Sequence, residues 1–107
     1  MLTNDSKKVL FTLYSEYKAR RSVGSSKSDA VCFRSAESIR IDFFPDWILE
    51  DVEDALRELG SEGYLNNLYA DNTISFCVLT NEAIASIEQL PVDTLKSLLS
   101  FVSNFLP

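Results

Sequence analysis

Carboxylates placed four residues apart are the feature of this chain most able to do chemistry. Glu50, Asp54 and Glu58 recur at this spacing, so an α-helix would align them in one row along its surface. Such a row can hold the ammonium or guanidinium groups of a basic partner through charge-assisted hydrogen bonds. It can also transfer protons, but only inside a cleft, and an outward helix surface is not a cleft.

Catalytic and metal-binding chemistry has few other candidate residues. The chain contains Cys32, Cys77 and no histidine, which leaves too few soft ligands for a structural zinc site and removes the commonest general base. The glycines, at positions 24, 60 and 63, fit no phosphate-binding loop. We therefore predict that the protein is not an enzyme and that it binds no cofactor and no metal.

The carboxylates belong to an acidic segment, residues 46–62, that is predicted to be helical. This segment has seven acids and one base, Arg57. Its apolar residues recur at helical spacing and predict one buried face: Ile48, Leu49, Val52, Ala55, Leu56 and Leu59. Asp46 is the predicted N-cap, and Trp47, the only tryptophan, is predicted to begin the outward face.

Two explanations of the acidic face remain open. The helix dipole stabilises acids in the first turns, and Glu53 can pair with Arg57, which favours a merely solvated face. Later acids such as Asp54 and Glu58 form like-charged pairs that cost roughly 0.2–0.5 kcal/mol each, which favours a face made for a basic partner. The second explanation predicts a set of partner-binding residues: Trp47, Glu50, Asp54, Arg57 and Glu58.

Two roles are open for Trp47. Exposed tryptophans are enriched at binding hot spots, which favours a place for Trp47 in the partner-binding surface. Aromatic residues near a helix start also pack back onto the preceding segment, here onto Phe43 or Phe44.

Other predicted elements must position the acidic segment. Apolar periodicity and β-prone runs predict them: helices over 5–21, 36–44, 81–89 and 92–105, and strands over 30–33, 64–69 and 74–79. Asn4 or Asp5 is the predicted cap of the first helix, Ser35 of the second and Thr80 of the fourth. Pro45 ends the second helix, so only a short turn separates it from the acidic segment.

This order of elements resembles the winged helix-turn-helix superfamily. The resemblance is carried by Val52-x-x-Ala55-Leu56-x-x-Leu59-x-x-x-Gly63-Tyr64-Leu65, then by the hairpin, then by Leu79-Thr80 at a helix start. With its extra C-terminal helix, the chain is most similar to small winged-helix proteins of phages and Gram-positive bacteria, many without a settled function. The resemblance implies an α+β fold over residues 5–90, with a three-helix core and a small antiparallel sheet. It also implies that the third helix and the wing hairpin often bind DNA.

Charge argues against DNA as the partner. The net charge is −6, and only residues 1–45 have an excess of bases, with eight against five acids. Duplex binding needs cations near phosphates and base edges, whereas the hairpin offers Asn66, Asn67, Asp71 and Asn72. We therefore expect a winged-helix interaction module with a basic protein partner. The alternative is a winged-helix transcriptional regulator that binds DNA.

The superfamily's sheet order implies that the strand 30–33 pairs with the strand 74–79. Alternation then predicts an inward set of side chains: Val31, Phe33, Phe76 and Val78. Cys32 and Cys77 would share the opposite face, as free thiols in a reducing cytoplasm.

The C-terminal helix carries a wide apolar stripe that something must cover. Packing within the domain and a homodimer contact both remain open, and the contact would use Leu98, Phe101, Val102 and Phe105. A membrane surface is disfavoured because the polar face has one lysine and no arginine. The length of 107 residues suits a single domain, and the polar N-terminus predicts a cytoplasmic protein.

Overall fold

The computed structural model describes the backbone of residues 2–103 and the side chains of residues 2–97. This part of the chain is an α+β fold with a three-stranded antiparallel sheet, as predicted, and with six helices, one more than predicted. The helices are α1 (Asn4–Ser22), α2 (Lys27–Ala30), α3 (Ala36–Phe43), α4 (Leu49–Ser61), α5 (Asn81–Glu88) and α6 (Val92–Ser103). The strands are β1 (Cys32–Phe33), β2 (Leu65–Ala70) and β3 (Thr73–Leu79). This order is compatible with a winged-helix architecture.

Side-chain caps determine where four of these helices begin, and Ser26 is the cap of α2. Ser35 caps α3 and Thr80 caps α5, each by accepting a hydrogen bond from the amide three residues on, so both predictions are confirmed. The cap of α1 is Thr3, whose hydroxyl accepts a hydrogen bond from the amide of Ser6 at 3.3 Å. The predicted caps Asn4 and Asp5 instead lie in the first turn of α1.

Helix α4 begins later than predicted. Its N-cap position is Ile48, without a side-chain hydrogen bond, so the prediction that Asp46 caps it is wrong. The intervening residues form a turn in which Trp47 N donates to Phe44 O at 3.0 Å. Ile48 therefore lies outside the helix and is 68% exposed, not part of the buried face.

Strand β3 is central in the sheet and pairs antiparallel with β1 and β2. The predicted pairing of the first strand with the third is confirmed, with Phe33 opposite Cys77. Strand β1 is shorter than predicted because Lys27–Ala30, expected to be loop and strand, forms the single turn α2. Asp71 and Asn72 join β2 to β3 with positive φ angles of 53° and 64°, as a two-residue hairpin turn requires.

The side-chain faces of β3 differ from the predicted alternation. Cys77 is fully buried, whereas Cys32 is partly exposed opposite Val78, so the two thiols do not share a face. An extra residue, Ser75, interrupts the ladder between β2 and β3, and this bulge also turns Ile74 into the core. The prediction was wrong because it assumed unbroken alternation. Both cysteines are free.

One hydrophobic core lies between the helices and the inner face of the sheet. The inner faces of α1 and α4 meet there, through Val9, Leu13, Val52, Leu56 and Leu59, all with 0% exposure. This packing leaves the opposite face of α4 at the surface.

Helix α6 packs beside α1, and Leu95 lies against the core. The side chains of the predicted homodimer residues Leu98, Phe101, Val102 and Phe105 lie outside the described residues, so that contact stays a prediction. No helix within residues 2–103 is long and apolar enough to cross a membrane.

Candidate partner-binding surface around the acidic helix

The start of α1 and the outer face of α4 form a shallow groove at the surface. Its volume is about 240 Å³, and its lining includes four carboxyl groups. We call this the acidic groove, and its lining residues are Thr3, Asp5, Ser6, Asp51, Asp54, Ala55 and Glu58. Two of the predicted partner-binding residues, Asp54 and Glu58, are therefore brought together. Asp5 and Asp51 are additions that the sequence pattern did not select.

Glu58 has a structural contact that the sequence did not reveal. Its carboxylate accepts hydrogen bonds from Thr3 N at 3.2 Å, from Thr3 Oγ1 at 2.7 Å and from the hydroxyl of Ser6. These bonds, led by the one from Ser6, lower the pKa of Glu58 below its ordinary value. Glu58 therefore joins the first turn of α1 to α4. Nothing in the local sequence around residue 3 or residue 58 indicates this contact.

The other acids of the groove are less constrained. Asp5, Asp51 and Asp54 are exposed, and within the described part of the chain no cation forms an ion pair with any of them. Asp51 and Asp54 lie on the outer surface of α4, and Asp5 belongs to the first turn of α1. The groove thus presents carboxylates that a positively charged side chain from outside could reach.

Arg57, the single base of the acidic segment, points away from this groove toward the hairpin. Its Nη2 donates to Asn72 O at 2.7 Å, and it forms an ion pair with Glu53 at 3.5 Å. The guanidinium carbon also lies 5.1 Å from the centre of the Tyr69 ring, which is a cation–π distance. Arg57 therefore ties α4 to the hairpin and does not neutralise the groove.

Trp47 packs back onto the preceding segment, which is the second of its two predicted roles. The ring is half-buried and lies 4.6 Å from the ring of Phe44, centre to centre, at an angle of 43°. Trp47 does not line the acidic groove. Glu50 is exposed on α4 but is also absent from the groove lining.

Two basic residues of the N-terminal third, Arg20 and Arg21, lie in the last turn of α1. Arg20 forms an ion pair with Glu16 at 3.4 Å and donates to Cys32 O at 2.7 Å. It also lies 4.5 Å above the ring of Phe33. These contacts fix β1 against the last turn of α1.

The fold and this surface define a small α+β protein with an acidic groove beside an exposed helix. Comparison of the chain with protein-family models, with curated proteins and with solved structures found no match. Among the described residues, no cluster of three or more His, Cys, Asp or Glu side chains is arranged to hold a metal ion.

Proposed function

We propose that this protein is a non-enzymatic winged-helix module that binds a basic protein partner through the acidic groove. In this proposal α3 and α4 are the helix-turn-helix pair, and β2 and β3 are the wing hairpin that packs beside α4. The short strand β1 completes the sheet in the order β1-β3-β2. The order of elements supports this architecture.

The observation that carries the proposal is the convergence of Asp5, Asp51 and Asp54 on one groove without a described cation to neutralise them. Carboxylates close together repel each other, and a guanidinium or ammonium group would relieve that repulsion while donating hydrogen bonds to them. An exposed arginine or lysine of a partner supplies such a group.

The same surface gives little support to the alternative of a DNA-binding regulator. The exposed face of α4 would bring Glu50, Asp51 and Asp54 toward phosphates, and the base of this helix, Arg57, is engaged with the hairpin. Phosphate neutralisation supplies much of the affinity of DNA-binding proteins. A DNA-binding regulator of this fold should shift duplex DNA at low salt, with steep salt dependence. The interaction module should leave the duplex unbound.

Charge reversal in the groove tests the proposed function. The double variant Asp51→Lys/Asp54→Lys should lose binding to a short arginine-rich peptide, measured by fluorescence anisotropy, and should lose its partners in a quantitative pull-down. Glu58 is left intact because it holds α1 to α4. The matched control is Asp42→Lys/Asp93→Lys, which changes two exposed acids outside the groove by the same total charge. Equal loss in both variants would show a general charge effect and contradict the proposal.

A further inference from the structure

Helix α4 begins at an isoleucine, in a position that a polar side chain would stabilise. The carbonyl of Ile48 accepts the first hydrogen bond of the helix, from Asp51 N at 3.0 Å, but its side chain caps no amide. Serine, threonine, aspartate and asparagine stabilise a helix start because their side chains accept a hydrogen bond from an amide of the first turn. Four other helices of this chain are capped in that way, by Thr3, Ser26, Ser35 and Thr80. Ile48 therefore gives up a stabilising contact that the chain makes elsewhere.

The side chain of Ile48 gains little from packing in return. It is 68% exposed, whereas the apolar residues on the inner face of α4, such as Val52 and Leu59, have 0% exposure. A side chain so exposed contributes only a fraction of the free energy that full burial would supply. Neither capping nor core packing explains an isoleucine here, and a local rule broken without structural compensation is typical of a functional position.

Ile48 lies at one end of the acidic groove. Residues three, four and seven apart share a face of an α-helix, so Ile48 is one turn before Asp51 and two turns before Ala55. Both of these residues line the groove. The hydrogen bond from Asp51 N to Ile48 O shows that the helical geometry extends back to this residue. An exposed apolar side chain thus continues the surface of the groove at the start of α4.

We propose that Ile48 is a specificity-determining residue of this surface, and that the partner segment carries an apolar side chain about one helical turn, ~5 Å, from the cation that enters the groove. This inference rests on the proposed function and narrows the class of partner. The cation donates hydrogen bonds to Asp51 and Asp54, and the apolar side chain removes the exposed surface of Ile48 from water. A segment that is only basic meets the carboxylates alone.

Charge and exposure together determine this choice of partner. Within the described part of the chain, no cation forms an ion pair with Asp5, Asp51 or Asp54, so these carboxylates attract basic segments over about a Debye length. Attraction of that range is similar for basic segments of equal charge. Contact with Ile48 requires an apolar side chain at the matching position. Ile48 therefore supplies a discrimination that charge alone does not.

A double-mutant cycle between Ile48 and a peptide tests the inference. The probes are two alanine-based helical peptides with two arginines each, and one of them also has a leucine one turn from the nearer arginine. The leucine should raise the affinity for the wild-type protein about fivefold, measured by fluorescence anisotropy, and should give no gain with Ile48→Ser. The matched control Ile41→Ser removes another exposed isoleucine, on α3 and outside the groove lining, and should keep the gain.

Thermal unfolding separates recognition from a structural role. Ile48→Ser places a capping hydroxyl at the start of α4 and should raise Tm by about 3 °C. A Tm below that of the wild type would show that Ile48 stabilises the fold, and would overturn the inference. An equal leucine gain with the wild type and with Ile48→Ser would also overturn it, while leaving the proposed function intact. If the wild type binds neither peptide, the proposed function fails and this inference fails with it.

Discussion

The acidic groove and the β2–β3 hairpin lie on two sides of α4 and offer opposite surfaces for recognition. The groove gathers Asp5, Asp51, Asp54 and Glu58 and suits a partner of positive charge. The hairpin carries almost no charge and offers backbone hydrogen bonds and exposed apolar side chains. Helix α4 therefore separates an ionic surface from a nearly neutral one. Arg57 belongs to the acidic segment in the sequence, but its side chain contacts the hairpin.

The largest expected effect is on stability, and it comes from truncating a core residue of α4, the helix that lies between the two surfaces. Leu56 is fully buried on the inner face of α4, and its carbonyl accepts the hydrogen bond from Asn67. Leu56→Ala should lower the free energy of unfolding by about 2–5 kcal/mol, because it leaves a cavity in the core. Urea unfolding followed by circular dichroism measures the loss. A change below about 1 kcal/mol would show that α4 is not anchored through this residue.

The reactivity of the two cysteines tests whether the inner face of the sheet is buried and the outer face is accessible. Burial raises the pKa of the Cys77 thiol to about 12, and only the thiolate reacts with alkylating reagents. At pH 8 the native protein should be alkylated quickly at Cys32 and at least about a hundredfold more slowly at Cys77. Mass spectrometry of timed samples identifies the modified residue. Similar rates at both thiols would restore the original prediction of a shared face.

A smaller, pH-dependent effect is expected at Glu58. Its folded-state pKa lies below the ordinary value of 4.5, so its hydrogen bonds to Thr3 and Ser6 stabilise the fold above that pH. This stabilisation is lost as the pH falls below about 4.5 and through the folded-state pKa. Glu58→Gln should therefore lower Tm at pH 7, and the difference from wild type should shrink in acid.

The control for this measurement is Glu50→Gln, which removes an exposed carboxylate of α4 outside the groove. It should leave Tm nearly unchanged at both pH values. A loss at Glu50 equal to the loss at Glu58 would mean that the general charge of α4, not the contact with α1, determines the effect.

Local patterns predicted most of the fold. Apolar spacing predicted the buried face of α4 from Val52 to Leu59, and the side chains of Ser35 and Thr80 marked the starts of α3 and α5. These signals succeed because caps and periodicity depend on neighbouring residues. The positions that failed depend on more distant structure. The bulge at Ser75 forms only when β2 and β3 pair. Asp46 does not cap α4 because it lies in a turn in which the Trp47 amide donates to the Phe44 carbonyl.

The candidate site was predicted in part. Spacing along one helix selected Asp54 and Glu58, but Asp5 comes from a helix whose approach no sequence period reveals. Arg57 and Trp47 were placed on the same outward surface, yet their contacts direct one to the hairpin and the other to Phe44. Long polar and aromatic side chains can contact several different neighbours, so the angular position of a residue around its helix does not alone determine where its side chain points.

The contact between Thr3 and Glu58 has a consequence for how the chain is synthesised. It joins residues 55 positions apart, so the first turn of α1 reaches its final hydrogen bonding only after α4 has been made. A nascent chain that ends before residue 58 has the sequence of α1 but lacks the carboxylate that joins its start to the rest of the domain. Contacts of such long sequence separation form late, because a long loop must close before they stabilise anything. The first turn of α1, although synthesised before α4, should therefore be among the last parts of this domain to become protected from a protease acting on the growing chain.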